Sequence, residues 1–501
     1  MRRTLAASAP LVAASLALAC TPCAAGAQPP PRAVSVQIDS SRPGRVVAHH
    51  FLGLSFEAAA LSRIASFGER GDLVTLLRSL GPGVLRFGGV TADQNVGWTD
   101  AATPAPSWAS STIGPQDLQA LGVLARRTGW SVLLTVGMAH YEPLAAAREV
   151  AAAHHALGTH LLAVEIGNEP DAYGRHGFRP LPWLAQGYDE EVGFYREAIA
   201  ALTPGVPIAG PDVSGSGLFA AWGEAEALAQ QPALLTGHHY PLGCASVPPP
   251  AIPTLLSANT RHRESGSLHA YMHVAKVNRI PLRIDESNSV SCGGVAGISN
   301  TFASALWAAG YIAETMAAGA SGINLQGNPA NCPGYTPLCA STPADLDAGR
   351  LSARPDWYGM LLTRSLVGTR PLRASLACGC STTAPAPVPD LVAQPFIGPG
   401  RNLQIVLIDD EPPESAPLTA TLHVGAGYGP ARVLRMAAAS PEATDGVTLG
   451  GRAVDAGGSW HPGRLEHVGT RAGVVTVPLA PSTAALVTVS PPSPPHRRTH
   501  R

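Results

Sequence analysis

Buried strand patterns alternate with amphipathic helix patterns eight times between residues 48 and 368, and this alternation restricts the possible folds more than any other feature. A repeated strand–helix order favours a parallel sheet covered by helices. Eight such units over this length predict an α/β fold, a (β/α)8 TIM barrel. The predicted barrel strands are 49–57, 84–90, 131–138, 161–166, 207–213, 234–241, 281–288 and 322–327.

The pattern changes after residue 368 to short alternating runs that Gly, Pro and Asp separate. Such runs are typical of an antiparallel β-sandwich, which we predict for 369–490. The alternating run 33–47 precedes the barrel and is predicted to add a strand to this sandwich. The tail 491–501 is rich in Pro, Arg and His and is predicted to be disordered.

Residues 1–27 have the pattern of a secretory signal peptide. Arg2 and Arg3 precede an Ala/Leu-rich core, and Ala25–Ala27 provides the small residues of a cleavage site. A lipoprotein signal that is lipidated at Cys20 is the alternative. The apolar run is too short for a spanning helix, and no other stretch reaches that length. We therefore predict a protein exported to the periplasm or the medium, without a membrane span.

Six cysteines follow the signal segment, an even number that allows disulfides in an exported protein. They are Cys244, Cys292, Cys332, Cys339, Cys378 and Cys380. The first four follow predicted barrel strands and are expected to form disulfides that connect loops. The sequence leaves their pairing open. A zinc site is the alternative, but the spacings match no ordinary zinc pattern. The formal net charge of −1 gives no basis for binding nucleic acid or an anionic membrane surface.

Two predicted strands end in carboxylates. Strand four runs into Asn168, Glu169 and Pro170, and strand seven ends in Asp285 and Glu286. A Glu paired with an Arg, or exposed on a loop, would be the ordinary structural interpretation, since burying a lone carboxylate is costly. Strand ends of a barrel converge at one face, however, and glycoside hydrolysis uses two carboxyl groups. We predict Glu169 as the general acid/base and Glu286 as the nucleophile.

Neighbouring residues suggest supporting roles. Tyr240 follows strand six and could donate a hydrogen bond to Glu286, and Asn168 could bind a sugar hydroxyl. Asp285 is predicted to point away from Glu286, because adjacent residues of a strand face opposite sides. We expect partial burial and the second carboxylate to raise the pKa of Glu169. This chemistry requires no metal and no organic cofactor.

Adjacent histidines end strand six. Because His238 and His239 point to opposite sides and no third residue has ligand spacing, a metal site is not favoured. One of the pair is expected to contact sugar, a role that we assign to His239, and the other to pack in the core. Asp93, after strand two, is either a turn cap or a sugar-hydroxyl ligand, and we favour the ligand.

Five segments in order, LRFGGVTAD, EIGNEPD, HHYP, IDESNS and PGYTP, resemble glycoside hydrolase family 79, the β-glucuronidase and heparanase group. The resemblance covers nearly the whole mature chain, including the C-terminal sandwich. It implies the roles given above for Glu169 and Glu286. It also implies that Glu57 and Asp93 contact sugar hydroxyls.

The same resemblance implies that Gly334 and Tyr335 hold a uronate carboxylate, through a backbone N–H and a phenol. Two loops depart from the family pattern, at 290–292 and at 325–327. Both line the sugar pocket in the family, so Gln326 is a further candidate contact, and a methylated glucuronate or another uronate is an alternative to glucuronate.

The expected partner is thus a carbohydrate that contains β-linked glucuronate. Near-neutral charge and Cys-bearing loops favour a closed pocket and an exo-acting β-glucuronidase. A heparanase-like endo-acting enzyme and a catalytically inactive carbohydrate-binding protein are the alternatives.

Overall fold

The computed structural model describes residues 32–378, 389–463 and 465–491. The predicted signal peptide lies outside the described residues, as does the predicted tail apart from Pro491. Cys380 and the side chain of Cys378 are also outside them.

Eight parallel strands close into a barrel in which each strand pairs with the next along the chain, and the eighth pairs with the first. We number them one to eight. The strands are Leu52–Glu57, Val84–Gly88, Ser131–Val136, Leu161–Ile166, Ile208–Val213, Leu234–His239, Leu282–Ser287 and Gly322–Gln326. The predicted (β/α)8 fold is confirmed, since every predicted strand overlaps an observed one.

Helices alternate with the strands of the barrel, and shorter helices lie in the loops. They are Leu61–Ser66, Leu73–Leu80, Val90–Gln94, Pro115–Thr128, Pro143–Leu157, Tyr173–His176, Ala185–Leu202, Ser216–Ala229, Ile252–Leu255, Ala258–Asn278, Phe302–Ala318, Pro343–Ala348 and Pro355–Thr363. None of the helices in the described ranges is long and apolar enough to cross a membrane.

Local chemistry explains where these helices begin and end. Helix Pro115–Thr128 has Pro at its first position, where no intrahelical N–H is needed. The Asp117 carboxylate accepts a hydrogen bond from the Gly114 N–H at 2.8 Å, and Gly129 ends the helix in the left-handed conformation. Helix Ala258–Asn278 begins after Ser257, whose side chain caps it by accepting a hydrogen bond from the Thr260 N–H.

A β-sandwich follows the barrel. One sheet contains Arg373–Cys378, Arg32–Asp39, Leu418–His423 and Val474–Leu479 in this spatial order. The other is built on Leu391–Ile397, Leu403–Asp409, Thr483–Val489 and Ala431–Ala437, with short strands Arg370–Pro371, Thr448–Leu449 and Glu466–Val468 at its edges. The strand that precedes the barrel therefore lies inside a sandwich sheet, where it pairs in parallel with Leu418–His423.

Candidate active site

The carboxyl ends of the barrel strands bring the two predicted carboxylates together. A carboxylate oxygen of Glu169 lies within 4.8 Å of one of Glu286. The Glu286 side chain is 10% exposed and that of Glu169 is 27% exposed, so a ligand can reach both. Retaining glycosidases hold their two carboxyl groups about 5–5.5 Å apart, whereas inverting enzymes hold them about 6.5–9.5 Å apart. The approach of one oxygen pair to within 4.8 Å is compatible with the shorter separation.

Strand seven does not alternate regularly. Its pairing with strand six shifts register between Ile284 and Glu286, which is a β-bulge. Asp285 and Glu286 consequently both face the barrel interior, where their carboxylates lie 3.0 and 2.7 Å from the Arg86 guanidinium. The prediction that Asp285 points away from Glu286 is wrong, because the extra residue of the bulge breaks the two-residue period.

Arg86 lies at the centre of the charged cluster and is fully buried on strand two. Its guanidinium lies within 3.0 Å of four carboxylates, which belong to Glu165, Asp212, Asp285 and Glu286. It also donates hydrogen bonds to Ser55 and Asn168. We did not predict this residue as functional, although an Arg inside an otherwise apolar strand signals a buried ion pair.

The charged groups in this cluster shift one another's pKa values. Burial alone would lower the pKa of Arg86, but the surrounding carboxylates raise it well above its usual value. Burial raises the pKa of Asp212 well above its usual value, and burial together with the Asp285 charge raises that of Glu165 to about 7. Burial opposes ionisation of Asp285 too, yet Arg86 and His238 hold its pKa well below its usual value. Asp212 and Glu165 are therefore carboxyl groups of the cluster whose raised pKa favours the uptake of a proton.

Two sets of side chains in the described residues have metal-ligand geometry, Glu169 with His238 and Glu286, and Asp212 with His238 and Asp285. The carboxylates of both sets already face Arg86 or His238. The guanidinium and the imidazole thus supply the positive charge that a metal would bring.

His238 links the acid/base candidate to the buried cluster. Its Nδ1 lies 2.9 Å from Oε1 of Glu169, and its Nε2 lies 2.9 Å from Oδ1 of Asp212. Burial would lower the pKa of His238, but Glu286, Asp212 and Asp285 raise it well above its usual value. Burial would raise the pKa of Glu169, but the hydrogen bond and charge of His238 lower it. Our expectation of a raised pKa for Glu169 is therefore wrong.

This contact predicts a change in pH dependence. In His238→Asn the amide can still donate to Glu169 but carries no charge, so burial dominates and the pKa of Glu169 rises. A general acid with a higher pKa stays protonated to higher pH, so the alkaline limb of kcat/KM should move upward. His239→Asn is the matched control and should leave that limb in place. An unchanged limb in His238→Asn would show that His238 does not set the protonation of the acid.

Tyr240 and Tyr335 stand beside the nucleophile candidate. The Tyr240 hydroxyl donates to Oε1 of Glu286 at 2.8 Å, as the sequence suggested, and the two phenol oxygens lie 3.3 Å apart. The N–H groups of Gly334 and Tyr335 donate to the carbonyls of Asn331 and Gly293, each at 3.1 Å. Both N–H groups are thus used within the loop, so the Gly334 N–H that was predicted to hold a uronate carboxylate is already bonded.

Two cysteine pairs brace these loops. Cys244 is joined to Cys292, with their Cα atoms 6.0 Å apart, and this connects the loops after strands six and seven. Cys332 is joined to Cys339, with Cα atoms 5.5 Å apart, and this closes the loop that carries Tyr335.

Asp93 does not line the site. Its side chain is 3% exposed and accepts hydrogen bonds from the backbone N–H groups of Met138, Ala139 and Asn168 and from the Tyr173 hydroxyl, all at 2.7–3.1 Å. The sugar-ligand role predicted for Asp93 is therefore replaced by an anchoring role, in which it fixes the loops after strands three and four.

His239 also lies apart from the cluster. Its ring stacks on Tyr311 of helix Phe302–Ala318 with centroids 4.9 Å apart, and its Nε2 is 3.5 Å from Glu264. The roles of the histidine pair are reversed, because His238 faces the carboxylates and His239 packs against the outer helices.

Glu57 and Gln326 lie at the ends of strands one and eight. The Glu57 carboxylate accepts hydrogen bonds from the Thr91 N–H at 3.0 Å and the Thr91 hydroxyl at 2.7 Å, and Gln326 Nε2 is 3.4 Å from Oε1 of Glu57. Burial and the Glu286 charge raise the pKa of Glu57. Asn168 points its amide oxygen at Arg86, at 2.9 Å, so this oxygen is already engaged.

No family model and no curated protein matches this sequence. Solved structures do match its fold. A 4-O-α-L-rhamnosyl-β-D-glucuronidase from Fusarium oxysporum 12S, in complex with Rha-GlcA, superposes with a TM-score of 0.72 at 20% identity, over 91% of this chain and 100% of that one. This chain has the fold of (β/α)8-barrel glycoside hydrolases.

Two further structures extend the comparison. A GH51 arabinofuranosidase from Xanthomonas axonopodis pv. citri matches with a TM-score of 0.65 and 13% identity, over 92% of this chain and 100% of that one. The catalytic domain of GH30 xylanase C from Talaromyces cellulolyticus matches with a TM-score of 0.55 and 11% identity, over 91% of this chain and 100% of that one. At these identities the likeness establishes the architecture, and the chemistry must be argued from the site.

Proposed function

We propose that this protein is a retaining, exo-acting β-glucuronidase that releases glucuronate or 4-O-methyl-glucuronate from glycans or glycoconjugates. The observation that carries this proposal is the Glu169–Glu286 pair, with carboxylate oxygens within 4.8 Å at the barrel face where such sites lie. Turnover, rather than binding alone, is supported because both carboxylates needed for a double displacement are present.

In the first step Glu286 attacks the anomeric carbon while the bond to the leaving oxygen breaks and Glu169 gives that oxygen its proton. In the second step Glu169 takes a proton from water, the water oxygen attacks the anomeric carbon, and the Glu286 carboxylate leaves. Arg86 and Tyr240 donate hydrogen bonds to opposite oxygens of Glu286 and so fix its orientation. Because His238 lowers the pKa of Glu169, the acid is protonated mainly at acidic pH.

Glucuronate as the retained sugar has two supports. The resemblance of five ordered segments to the glucuronidase family is one, and the likeness to the Fusarium enzyme is the other. The Tyr335 phenol, buried beside Tyr240 and Glu286, is the group that we assign to the sugar carboxylate. Export is part of the proposal, and the two cysteine pairs suit an oxidising compartment.

The test is hydrolysis of p-nitrophenyl β-D-glucuronide by the purified protein, beside the corresponding xyloside, glucoside and galactoside. We expect turnover of the glucuronide and at least tenfold lower kcat/KM on each neutral sugar, since a hydrogen bond to a charged group contributes about 1.5–3 kcal/mol. Turnover of a neutral glycoside instead would support a glycosidase but contradict the proposed preference for a uronate. If none of the four glycosides is hydrolysed, the proposal of an exo-acting enzyme is rejected.

A further inference from the structure

Two loops that border the candidate site touch through their backbones. They are residues 291–294, after strand seven, and residues 331–335, after strand eight, and we call them the paired loops. The Tyr335 N–H donates to the Gly293 carbonyl at 3.1 Å. A Cβ atom on Gly294 would lie less than 3.0 Å from the Tyr335 nitrogen, a backbone atom that cannot rotate out of the way. Gly294 therefore permits an approach of the two loops that any other residue would prevent.

A disulfide fixes the first paired loop to the segment that carries Tyr240. Cys244, shortly after Tyr240, is joined to Cys292 of this loop. The Ser291 N–H donates to the Leu242 carbonyl at 3.0 Å, between the same two segments. The second disulfide closes the other paired loop into a ring. Tyr240 is thus connected to the second paired loop through one disulfide and the backbone contact between the loops.

These connections converge on two phenols beside the nucleophile candidate. The rings of Tyr240 and Tyr335 are stacked, with centroids 5.8 Å apart, and their hydroxyl oxygens lie 3.3 Å apart. Tyr240 donates its single hydroxyl hydrogen to Glu286 at 2.8 Å, so the Tyr335 hydroxyl retains its own hydrogen for a sugar carboxylate. A shift of the second paired loop would move this donor. Glu169 and Glu286 lie outside both paired loops and would stay in place.

We propose that Gly294 and the Cys244–Cys292 disulfide are positioning residues that set the preference for a uronate, because they hold the Tyr335 phenol where the sugar carboxylate binds. They act through the second paired loop rather than by contact with the substrate. Opening the contact between the loops weakens binding of the carboxylate and leaves both displacements intact. This inference rests on the proposed function, since it takes glucuronate as the retained sugar.

The test compares Gly294→Ala with Gly293→Ala as the matched control. The two glycines have φ angles of +85° and +86°, so an added Cβ costs both variants similar backbone strain. At Gly294 the new Cβ meets the Tyr335 backbone, whereas no described atom lies within 4 Å of the Cβ position of Gly293. The double variant Cys244→Ser, Cys292→Ser opens the disulfide without enlarging any side chain.

Selectivity is measured as kcat/KM on p-nitrophenyl β-D-glucuronide divided by kcat/KM on the β-D-glucoside, which differs only at C6. We expect this ratio to fall by about tenfold or more in Gly294→Ala and in the double variant, the effect of one hydrogen bond to a charged group. KM for the glucuronide should rise while kcat stays within about threefold, because a contact made equally in the ground and transition states affects KM. Gly293→Ala should keep the ratio within about twofold.

An unchanged ratio in either Gly294→Ala or the double variant would overturn the proposal. So would a fall in kcat at unchanged KM, which would place the effect on the carboxylate pair. An equal fall in Gly293→Ala would also overturn it, because backbone strain would then be the cause. If Gly294→Ala is not recovered as folded protein, the double variant decides by the same criterion. An unmodified enzyme that hydrolyses neither glycoside, or prefers the glucoside, would reject the proposed function and this inference with it.

Discussion

Replacing Glu286 with Gln should reduce kcat/KM on p-nitrophenyl β-D-glucuronide by about 10⁴-fold or more, as loss of a catalytic nucleophile usually does. Gln keeps the size of the side chain, and its amide oxygen can still accept from Arg86 while its amide N–H donates to the Tyr240 hydroxyl, so the site should keep its shape. The amide cannot form the glycosyl ester, and the loss should therefore appear in kcat rather than KM. Steady-state kinetics, with a fluorescence titration of glucuronate binding, measures both.

The matched control is Glu226→Gln, on helix Ser216–Ala229. Glu226 is fully buried, and burial raises its pKa to about 8, so below neutral pH the substitution replaces one neutral group with another. We expect activity within about threefold of the unmodified enzyme, the range of substitutions that touch no catalytic group. Activity retained in Glu286→Gln would remove this residue from the mechanism. Lost binding together with lost turnover would assign it a structural role.

Replacing Arg86 with Met should destabilise the barrel by about 3–5 kcal/mol, the usual cost of removing one partner of a buried ion pair. Glu165, Asp212, Asp285 and Glu286 would remain buried without the cation that they face. The expected result is a lower midpoint of urea denaturation. The loss of stability relative to the unmodified protein should be larger at neutral than at acidic pH. At low pH the orphaned carboxylates can take up protons, which removes the repulsion.

Arg283→Met is the control that distinguishes the loss of the Arg86 ion pairs from the loss of a buried arginine in general. Arg283 is also buried, but it lies toward the opposite end of strand seven from Glu286 and has no ion-pair partner among the described residues. Burial lowers its pKa to about 9, so its charge is poorly compensated. We expect a loss of only about 1–3 kcal/mol, from the unsatisfied Asn324 and backbone carbonyls. An equal or larger loss than in Arg86→Met would contradict the central role of Arg86.

The barrel was predictable because its signals are local. Helix Pro143–Leu157, for example, is marked in the sequence by Pro at its start and Gly158 after its end. The strand Arg373–Cys378 has a weak local signal, because it is an edge strand with mostly exposed side chains and little alternation of apolar residues.

The carboxylate pair was also predictable, since strand ends of a barrel converge wherever the strands are known. The side of the strand on which a single side chain lies was not predictable. All six residues of strand six are buried, so the apolar pattern does not show whether His238 or His239 faces the interior. The bulge that turns Asp285 inward depends on pairing with strands six and eight, which no local pattern encodes.

The central claim is that Glu169 and Glu286 form a retaining pair that acts on β-glucuronides. The most direct measurement is ¹H NMR of the first product formed from p-nitrophenyl β-D-glucuronide, before the free sugar equilibrates. Our account predicts that β-glucuronic acid appears first and then mutarotates, because two displacements at the anomeric carbon preserve its configuration. Initial release of the α anomer would mean a single displacement by water and would contradict the role of Glu286 as nucleophile.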